Sequence, residues 1–306
     1  MNIGKKNTFV FVLSILTLVT ISSFVSSSFW SDITGKATSQ NVATNISVGV
    51  PKITFVGAPS AQNPTENSFL PIIFYATAND GAGASVLSNM TANFTIAGNP
   101  VRSNSSCVKV GNIDSNNVNY SCTVNLWYFD TSGTWNIGVA VNDTYGNNAY
   151  NTTQTFTYNQ LSAFVLCPGS LSWNAFATGS QNQTPTNGPL ILNNTGNKPI
   201  TVGNIQINGT NLRGETDSTK AIWANNISLS TFTGGSPPVE CNSTSTNMSA
   251  GGFVGIAVAT LGTGNLTLNN GTGQSRLYPC IKIAGAELTS QSYSTANESS
   301  WTVKIV

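Results

Sequence analysis

Residues 191 to 212, ILNNTGNKPITVGNIQINGTNL, set apolar residues at alternate positions and fill the gaps with asparagine and threonine. A period of two belongs to a β-strand with one face in a core and the other in water. The same period returns along the chain. Residues 37 to 50 place Val42, Thr44, Ile46, Val48 and Val50 on one face, which predicts an extended first strand. KITFV, PIIFYATA, MTANFTI, YSCTVNLWY, GTWNIGVAVN and TTQTFTY follow, separated by Gly, Asn, Asp and Pro clusters at the spacing of an all-β sandwich. Trp135, Ile137, Val139 and Val141 share one face of their strand, as do Cys122, Val124, Leu126 and Tyr128. Two one-sided strands imply two sheets packed face to face.

After YNQLSAFVL the pattern restarts, with no helical periodicity in between, so a boundary is predicted near Gln160. PLIL, ITVGNIQING, NISLSTF, FVGIAVATL, NLTLN, LYPCIKI and WTVKIV are the expected strands of the second half. Within ITVGNIQING the apolar residues Ile200 and Val202 are even while Ile205 and Ile207 are odd, and this slip predicts a β-bulge at Gly203-Asn204. The expected fold is all-β, two tandem β-sandwich domains over 38–160 and 161–306, after an N-terminal segment over 1–37.

That segment starts basic, with Lys5 and Lys6, and continues uncharged from Thr8 to Ser31, richest in apolar residues between Phe9 and Ile21. This is the layout of a secretory signal. The apolar run is shorter than the ~20 residues a spanning helix needs and ends in serines, so cleavage is expected between Ser26 and Thr38. If it is retained, the same segment is the anchor, the one expected membrane contact.

Only 8 % of the 306 residues are charged, against roughly 25 % in soluble domains, yet there are 14 Phe, 6 Trp and 8 Tyr to build cores. A net charge of +1, with no basic run beyond Lys5-Lys6, excludes the electrostatic footprint of a nucleic-acid binder. Solubility falls to Asn, Ser and Thr. Sixteen Asn-X-Ser/Thr triplets follow, at Asn45, Asn89, Asn93, Asn104, Asn119, Asn142, Asn151, Asn182, Asn193, Asn208, Asn226, Asn242, Asn247, Asn265, Asn270 and Asn297. In NMTANFTI, Met90, Ala92, Phe94 and Ile96 take one face, which predicts that Asn89 and Asn93 face solvent and that a glycan on Asn93 points outward.

The five cysteines, Cys107, Cys122, Cys167, Cys241 and Cys280, are too widely spaced for a zinc knuckle, and an exported chain oxidises its thiols. Cys107 and Cys122 flank the turn-rich VGNIDSNNVNY and are expected to bond across adjacent strands. The remaining three allow three pairings; Cys241 with Cys280 is the one taken, leaving Cys167 over.

The absence of histidine removes Ser-His-Asp and Cys-His catalysis and the usual zinc-hydrolase sites. No catalytic residue is assigned. The only acids close in sequence are Glu215 and Asp217, in RGETDST, where a solvated loop is expected rather than a glycosidase pair. Asp143, with Asn142 and backbone carbonyls, is the candidate calcium site, against an ordinary Asx turn. Of Trp127, Trp173, Trp223 and Trp301, Trp127 is the candidate for stacking on a sugar, because alternation sets it opposite Leu126 and Tyr128, on the outer face; cover from a neighbouring domain or subunit is the competing expectation.

With these residues in view, the first half resembles Ig-like modules of archaeal secreted surface proteins, through YSCTVNLWYFDTSGTWNIGVAVNDTYGNNAYNTTQTFTYNQLSA. The second half is similar to the second β-sandwich of that group, through PLILNNTGNKPITVGNIQINGTNL and LYPCIKIAGAELTSQSYSTANESSWTV. The Asn-Thr-Gly-Asn turn is more distantly similar to TasA/camelysin-type matrix-fibre subunits. The resemblance implies an Ig-like fold over 38–160 and a structural or adhesive role in a cell envelope or matrix. It carries over no catalytic residue. Expected partners are other envelope proteins or the chain itself, by exchange of the strand over 41–50; glycans are the partner in the alternative reading, a carbohydrate-binding or cell-contact module.

Overall fold

The computed structural model describes residues 49–231, 241, 245–264 and 273–306. The export segment, most of the strand expected over 37–50, NLTLN, and the sequons at Asn45, Asn242, Asn265 and Asn270 lie outside them. The described residues fall in one compact unit, Val48–Val306, which is all-β and contains two separate hydrophobic cores.

The first core lies between two four-stranded antiparallel sheets. Its strands are β1 (Lys52–Val56), β2 (Phe69–Asn79), β3 (Leu87–Thr95), β4 (Arg102–Asn104), β5 (Val108–Asn112), β6 (Asn117–Trp127), β7 (Gly133–Asp143) and β8 (Asn148–Tyr158). One sheet runs β1-β2-β6-β5 and the other β4-β3-β7-β8. The alternation read from the sequence sets which side chains go in: Ile72, Phe74, Cys122, Val124 and Leu126 from one sheet meet Phe94, Trp135, Ile137 and Val139 from the other, all buried. Phe94 holds the middle, its ring 5.6 Å from Phe74 and 4.7 Å from Phe156. Trp135 satisfies its buried indole N–H by donating to the Thr131 carbonyl at 2.9 Å.

Pro71, inside the central strand β2, is tolerated because of where β1 stops. β1 pairs only with Ala76–Asn79, and the Gly57 N–H then reaches the Tyr75 carbonyl at 2.8 Å. Backbone groups two residues apart point the same way, so the missing N–H of Pro71 faces this open side and removes no ladder bond.

The second half contains β9 (Phe164–Cys167), β10 (Gln181–Gln183), β11 (Leu190–Asn194), β12 (Ile205–Asn208), β13 (Leu212–Gly214), β14 (Ala221–Ile222), β15 (Ile227–Thr231), β16 (Thr246–Asn247), β17 (Val254–Gly255), β18 (Gly273–Ile283), β19 (Tyr293–Ser294) and β20 (Thr302–Ile305). The long β18 centres a sheet of order β16-β15-β18-β11-β9, with β10 also on β18; two three-stranded sheets, β17-β12-β20 and β14-β13-β19, complete the half. Leu192, Ile205, Ile207, Leu229, Leu261 and Leu277 are buried in the shared core.

Two strand expectations are corrected here. ITVGNIQING is not one bulged strand: Ile200 bridges Leu261, Thr201 to Asn204 form a turn closed by Asn204 N–H to the Thr201 carbonyl at 3.2 Å, and β12 starts at Ile205. Gly203 has φ +86°, open to glycine at little cost, so the slip in parity marks a reversal of the chain. FVGIAVATL is not one strand either: it pairs with β12 at Val254–Gly255, the Ala259 N–H then turns back to the Ile256 carbonyl at 3.2 Å, and Leu261 makes the isolated bridge to Ile200.

The junction between the halves is built by the Asn-Thr-Gly-Asn turn after β11. Asn197 Oδ1 accepts the Leu161 N–H at 2.7 Å while its Nδ2 donates to the Asn159 carbonyl at 3.0 Å. The Asn197 and Lys198 N–H groups both reach the Leu161 carbonyl, at 3.1 and 3.2 Å. This side chain therefore fastens the connecting segment to the second half.

Candidate functional site

An open groove of about 470 Å³ lies where the first sandwich opens between β4 and β6. β5 pairs with β6 only as far as Ser121, so among the described residues no strand pairs with the later residues of β6 on this side. Thr123, Asn125 and Trp127 of β6 line one wall, and Val101 to Ser105 line the other. Asn104 Nδ2 donates to the Thr123 carbonyl at 2.8 Å and ties the walls together.

Beneath the groove sits a buried ion pair that the sequence did not single out. Arg102 Nη2 lies 2.5 Å from Asp130 Oδ1, and Arg102 Nε donates to both carboxylate oxygens at 3.1 and 3.0 Å. Asp130 Oδ2 also accepts the Trp127 N–H at 2.8 Å, and Asn99 Nδ2 approaches Oδ1 at 3.3 Å. Asp130 is fully buried, and these bonds replace the water it lost. Nearby, Tyr158 donates to the Trp127 carbonyl at 3.1 Å; burial first, and then the charge of Asp130, push its hydroxyl well above the usual tyrosine pKa. Two charges 28 residues apart carry no local signal of their pairing.

Trp127 stands on the outer row of β6, the side that alternation assigns it, but half-buried. Phe129 stacks on its indole at 5.8 Å and 16°, and its cross-strand neighbour Phe69 meets it edge-on at 5.4 Å. Trp173 and Trp301 are edge to face at 6.3 Å and partly buried against the second core, while Trp223 is exposed.

Asp143 caps its own turn. Its Oδ1 accepts the Tyr145 and Asn147 N–H groups at 2.9 and 2.8 Å, and its Oδ2 accepts Asn147 Nδ2 at 2.8 Å. Burial works against its charge, yet the Asn147 amide and the N–H groups of Asn147, Tyr145 and Gly146 outweigh that and hold the pKa below the ordinary carboxylate value. Of the carboxylate oxygens expected for calcium, Oδ1 is thus turned to backbone donors and Oδ2 to the Asn147 side-chain amide. Asp217 is likewise held low by the Thr219 hydroxyl and N–H, at 2.6 and 3.0 Å, and Glu215 is exposed. Among the described residues no group of three or more Cys, Asp or Glu is placed to hold a metal ion.

Two disulfides are present. Cys107 bonds Cys122, their Cα atoms 4.4 Å apart, because the Val108↔Ser121 register of the β5–β6 hairpin sets them opposite one another. Cys241 bonds Cys280 of β18, with Cα atoms 5.4 Å apart, and Cys167 is an exposed free thiol on β9.

The sequon asparagines are spread over both halves. Asn142 and Asn297 are exposed on a strand end and a loop, and Asn247 accepts a bond from Lys282 Nζ at 2.9 Å. Asn93 lies on the outer row of β3, opposite Gly138 of β7, and is only half-exposed. Its carboxamide covers the place where a side chain at position 138 would stand. The amide oxygens of Asn93, Asn193 and Asn208 are buried with no hydrogen-bond partner, so these strand asparagines pack as well as hydrate.

The signal missed in the sequence was in β2. FLPIIFYATA is apolar at both parities over its first seven positions, although an antiparallel strand with one wet face should alternate. Its even residues fill the core; its odd residues, Phe69, Ile73 and Tyr75, are 43, 57 and 50 % exposed.

No protein-family model matches the chain, and no curated protein does. Among solved structures, the secreted serine protease VesC from Vibrio cholerae is similar at 8 % identity and a TM-score of 0.21, over 81 % of this chain and 51 % of that one. The chain thus spans about half the length of that protein, and a likeness this slight carries no argument.

Proposed function

We propose that the chain is a secreted, N-glycosylated structural or adhesive protein of a cell surface or extracellular matrix, of the archaeal envelope kind its sequence resembles. The observation that carries this reading is the pairing of two disulfides with strand faces hydrated by Asn, Ser and Thr in place of charge. Disulfides of this type persist in oxidising compartments, and a surface so poor in charge gains from covalently attached sugar. The strand orders β1-β2-β6-β5 and β4-β3-β7-β8 support an Ig-like first half, since they follow the ABED and CFG sheets of that fold with one strand added. The reading assigns the chain no reaction; its partners are other envelope proteins or further copies of itself. The test is the mature protein recovered from outside a secreting archaeal cell. Its N-terminus is expected between Ser26 and Thr38 and its intact mass above that of the bare polypeptide. A chain retained in the cytosol, beginning at Met1 with the bare mass, would refute it.

A second reading, carbohydrate recognition, is favoured by the groove beside Trp127, whose uncharged wall residues Thr123, Asn125 and Asn104 suit sugar hydroxyls. A glycan array with wild-type protein and Trp127→Ala tests it: signals lost in the variant support it, and an array unchanged by the variant removes Trp127 from the reading.

A further inference from the structure

The groove between β4 and β6 has one sequon asparagine among its wall residues, and it stands at one end. Asn104 lies beside Thr123, while Arg102, two residues back, lies beside the turn that Trp127 begins, so the two walls run antiparallel. The lining therefore changes in order along the groove: the Asn104–Thr123 end, then the exposed Ser103 and Asn125, then Val101, 58 % exposed, and the indole of Trp127. From Thr123 to Trp127 is four residues of strand, about 13 Å.

The Asn104 carboxamide is held on both sides. Its Oδ1 accepts the Ser106 N–H at 2.9 Å, and Nδ2 donates one hydrogen to the Thr123 carbonyl at 2.8 Å. The plane of the amide is thereby fixed from one wall to the other. The second hydrogen of Nδ2, the one a glycosyl bond replaces, has no partner among the described residues.

We infer that the groove is filled by the chain's own N-glycan: sugar attached at Asn104 lies along it, with hydroxyls on Ser103 and Asn125 and the apolar face of a ring against Trp127. The inference rests on the glycoprotein reading and deepens it by giving one sugar a place. An extended peptide fits the groove poorly, because strand addition needs free backbone groups and those on this side of β6 are largely engaged. The Thr123 carbonyl is taken by Asn104, the Trp127 N–H by Asp130 and the Trp127 carbonyl by Tyr158. Apart from Arg102, which is paired with Asp130 beneath, the lining is uncharged, as sugar hydroxyls require. Phe129 already stacks on the indole, so one partly covered aromatic in an open groove holds a free sugar weakly. A sugar tethered at Asn104 instead enters at an effective concentration in the millimolar range.

The test separates sugar on Asn104 from sugar in the groove. The chain is expressed from Met1 in a secreting archaeal host that N-glycosylates its exports. Ser106→Ala removes the sequon and keeps both bonds of Asn104, since residue 106 contributes only its backbone N–H to them. After reduction, the tryptic peptide 103–109, which contains no other sequon, is expected to carry sugar in the wild type and none in the variant. Hydroxyl-radical labelling of the folded proteins should then modify Trp127 several-fold more in Ser106→Ala than in wild type, with the exposed Trp223 labelled equally in both. Asn104→Gln, which removes the sequon at its other residue, should give the same increase, and Ser299→Ala, which removes the loop sequon at Asn297, none. Unchanged far-ultraviolet circular dichroism checks folding of each variant. A bare 103–109 peptide overturns the inference, and sugar on the other sequons would then leave the glycoprotein reading standing. Equal labelling of Trp127 with peptide 103–109 glycosylated overturns it as well, because the sugar then lies outside the groove. Binding of the fully glycosylated wild type to a glycan array, lost in Trp127→Ala, overturns it by showing that the groove takes its sugar from another molecule.

Discussion

Thr195 Oγ1 donates a 2.6 Å hydrogen bond to Glu66 Oε1, joining the turn after β11 to the loop before β2 across 129 residues of chain. The Asn67 N–H reaches the Thr195 carbonyl at 3.2 Å in the same place. With Asn197 holding the connecting segment, one four-residue turn fixes both the linker and the neighbouring loop. Gly196 is the reason it fits: a side chain there would run into the Leu161 carbonyl and the Ala163 nitrogen, which are backbone atoms with no rotamer to escape into.

Gly196→Ala is therefore expected to destabilise the protein by about 1–3 kcal/mol, as overpacking against unyielding neighbours does. Thr195→Val, which keeps the shape and removes the hydroxyl, should cost about 1 kcal/mol. Urea unfolding followed by tryptophan fluorescence measures both. A Gly196→Ala protein as stable as wild type would mean that the turn does not press on the linker.

The Arg102–Asp130 pair joins β4 to the loop after β6, with Asp130 fully buried and Arg102 nearly so. Removing either partner takes the opposing charge out of a buried site, so Asp130→Asn and Arg102→Met are each expected to cost about 3–5 kcal/mol. The double variant should cost clearly less than the sum of the two. Denaturant unfolding of the four proteins gives the coupling directly, and additive losses would show that the pair does not act as a unit.

Asp114, Asp143 and Asp217 each accept bonds from nearby N–H or O–H groups and have pKa values lowered in the fold; for Asp114 the leading cause is the Asn116 N–H, at 2.8 Å. A carboxylate lowered on folding contributes stability above its unfolded pKa, about 4, that is lost as pH falls through the lower folded value. The melting temperature should hold from neutral pH to about 4 and then decline. Asp143→Asn is expected to melt lower at neutral pH and to decline less below about pH 4. A variant whose acid decline parallels wild type would remove Asp143 from this account.

Cys107–Cys122 closes 15 residues and Cys241–Cys280 closes 39. Chain-entropy reasoning assigns them about 3 and about 4 kcal/mol, respectively. Replacing both members of each bridge by Ala, one bridge at a time, should lower stability in that order, read from guanidinium midpoints at matched m-values. Non-reducing peptide mapping checks the pairing independently, and Cys167 is the thiol that alkylation should label without reduction.

What the sequence determined by itself was the set of one-sided strands in the first half. In β6 and β7 the period-two pattern is local, and each strand's own residues decide which face is buried, so Val124 and Leu126, or Ile137 and Val139, needed no partner to be placed. The hairpin bridge Cys107–Cys122 was legible for the same reason, since its loop is short. Only the tertiary structure decided the rest. β2 is apolar at both parities, and it is the packing of Phe74 against Phe94 that sends the even residues inward and leaves Ile73 and Tyr75 outside. Trp127 was readable as an outward residue, but its cover by Phe69 and Phe129 depends on cross-strand register and on the path of the next loop. In the second half the strands are short, and whether Ile200 to Ile207 is a bulged strand or a turn is settled by the distant Leu261 and β20 that pair with its two ends. Period-two patterning is a property of neighbouring residues, whereas pairing, cover and the burial of Arg102 with Asp130 are long-range contacts that form only when the chain closes on itself.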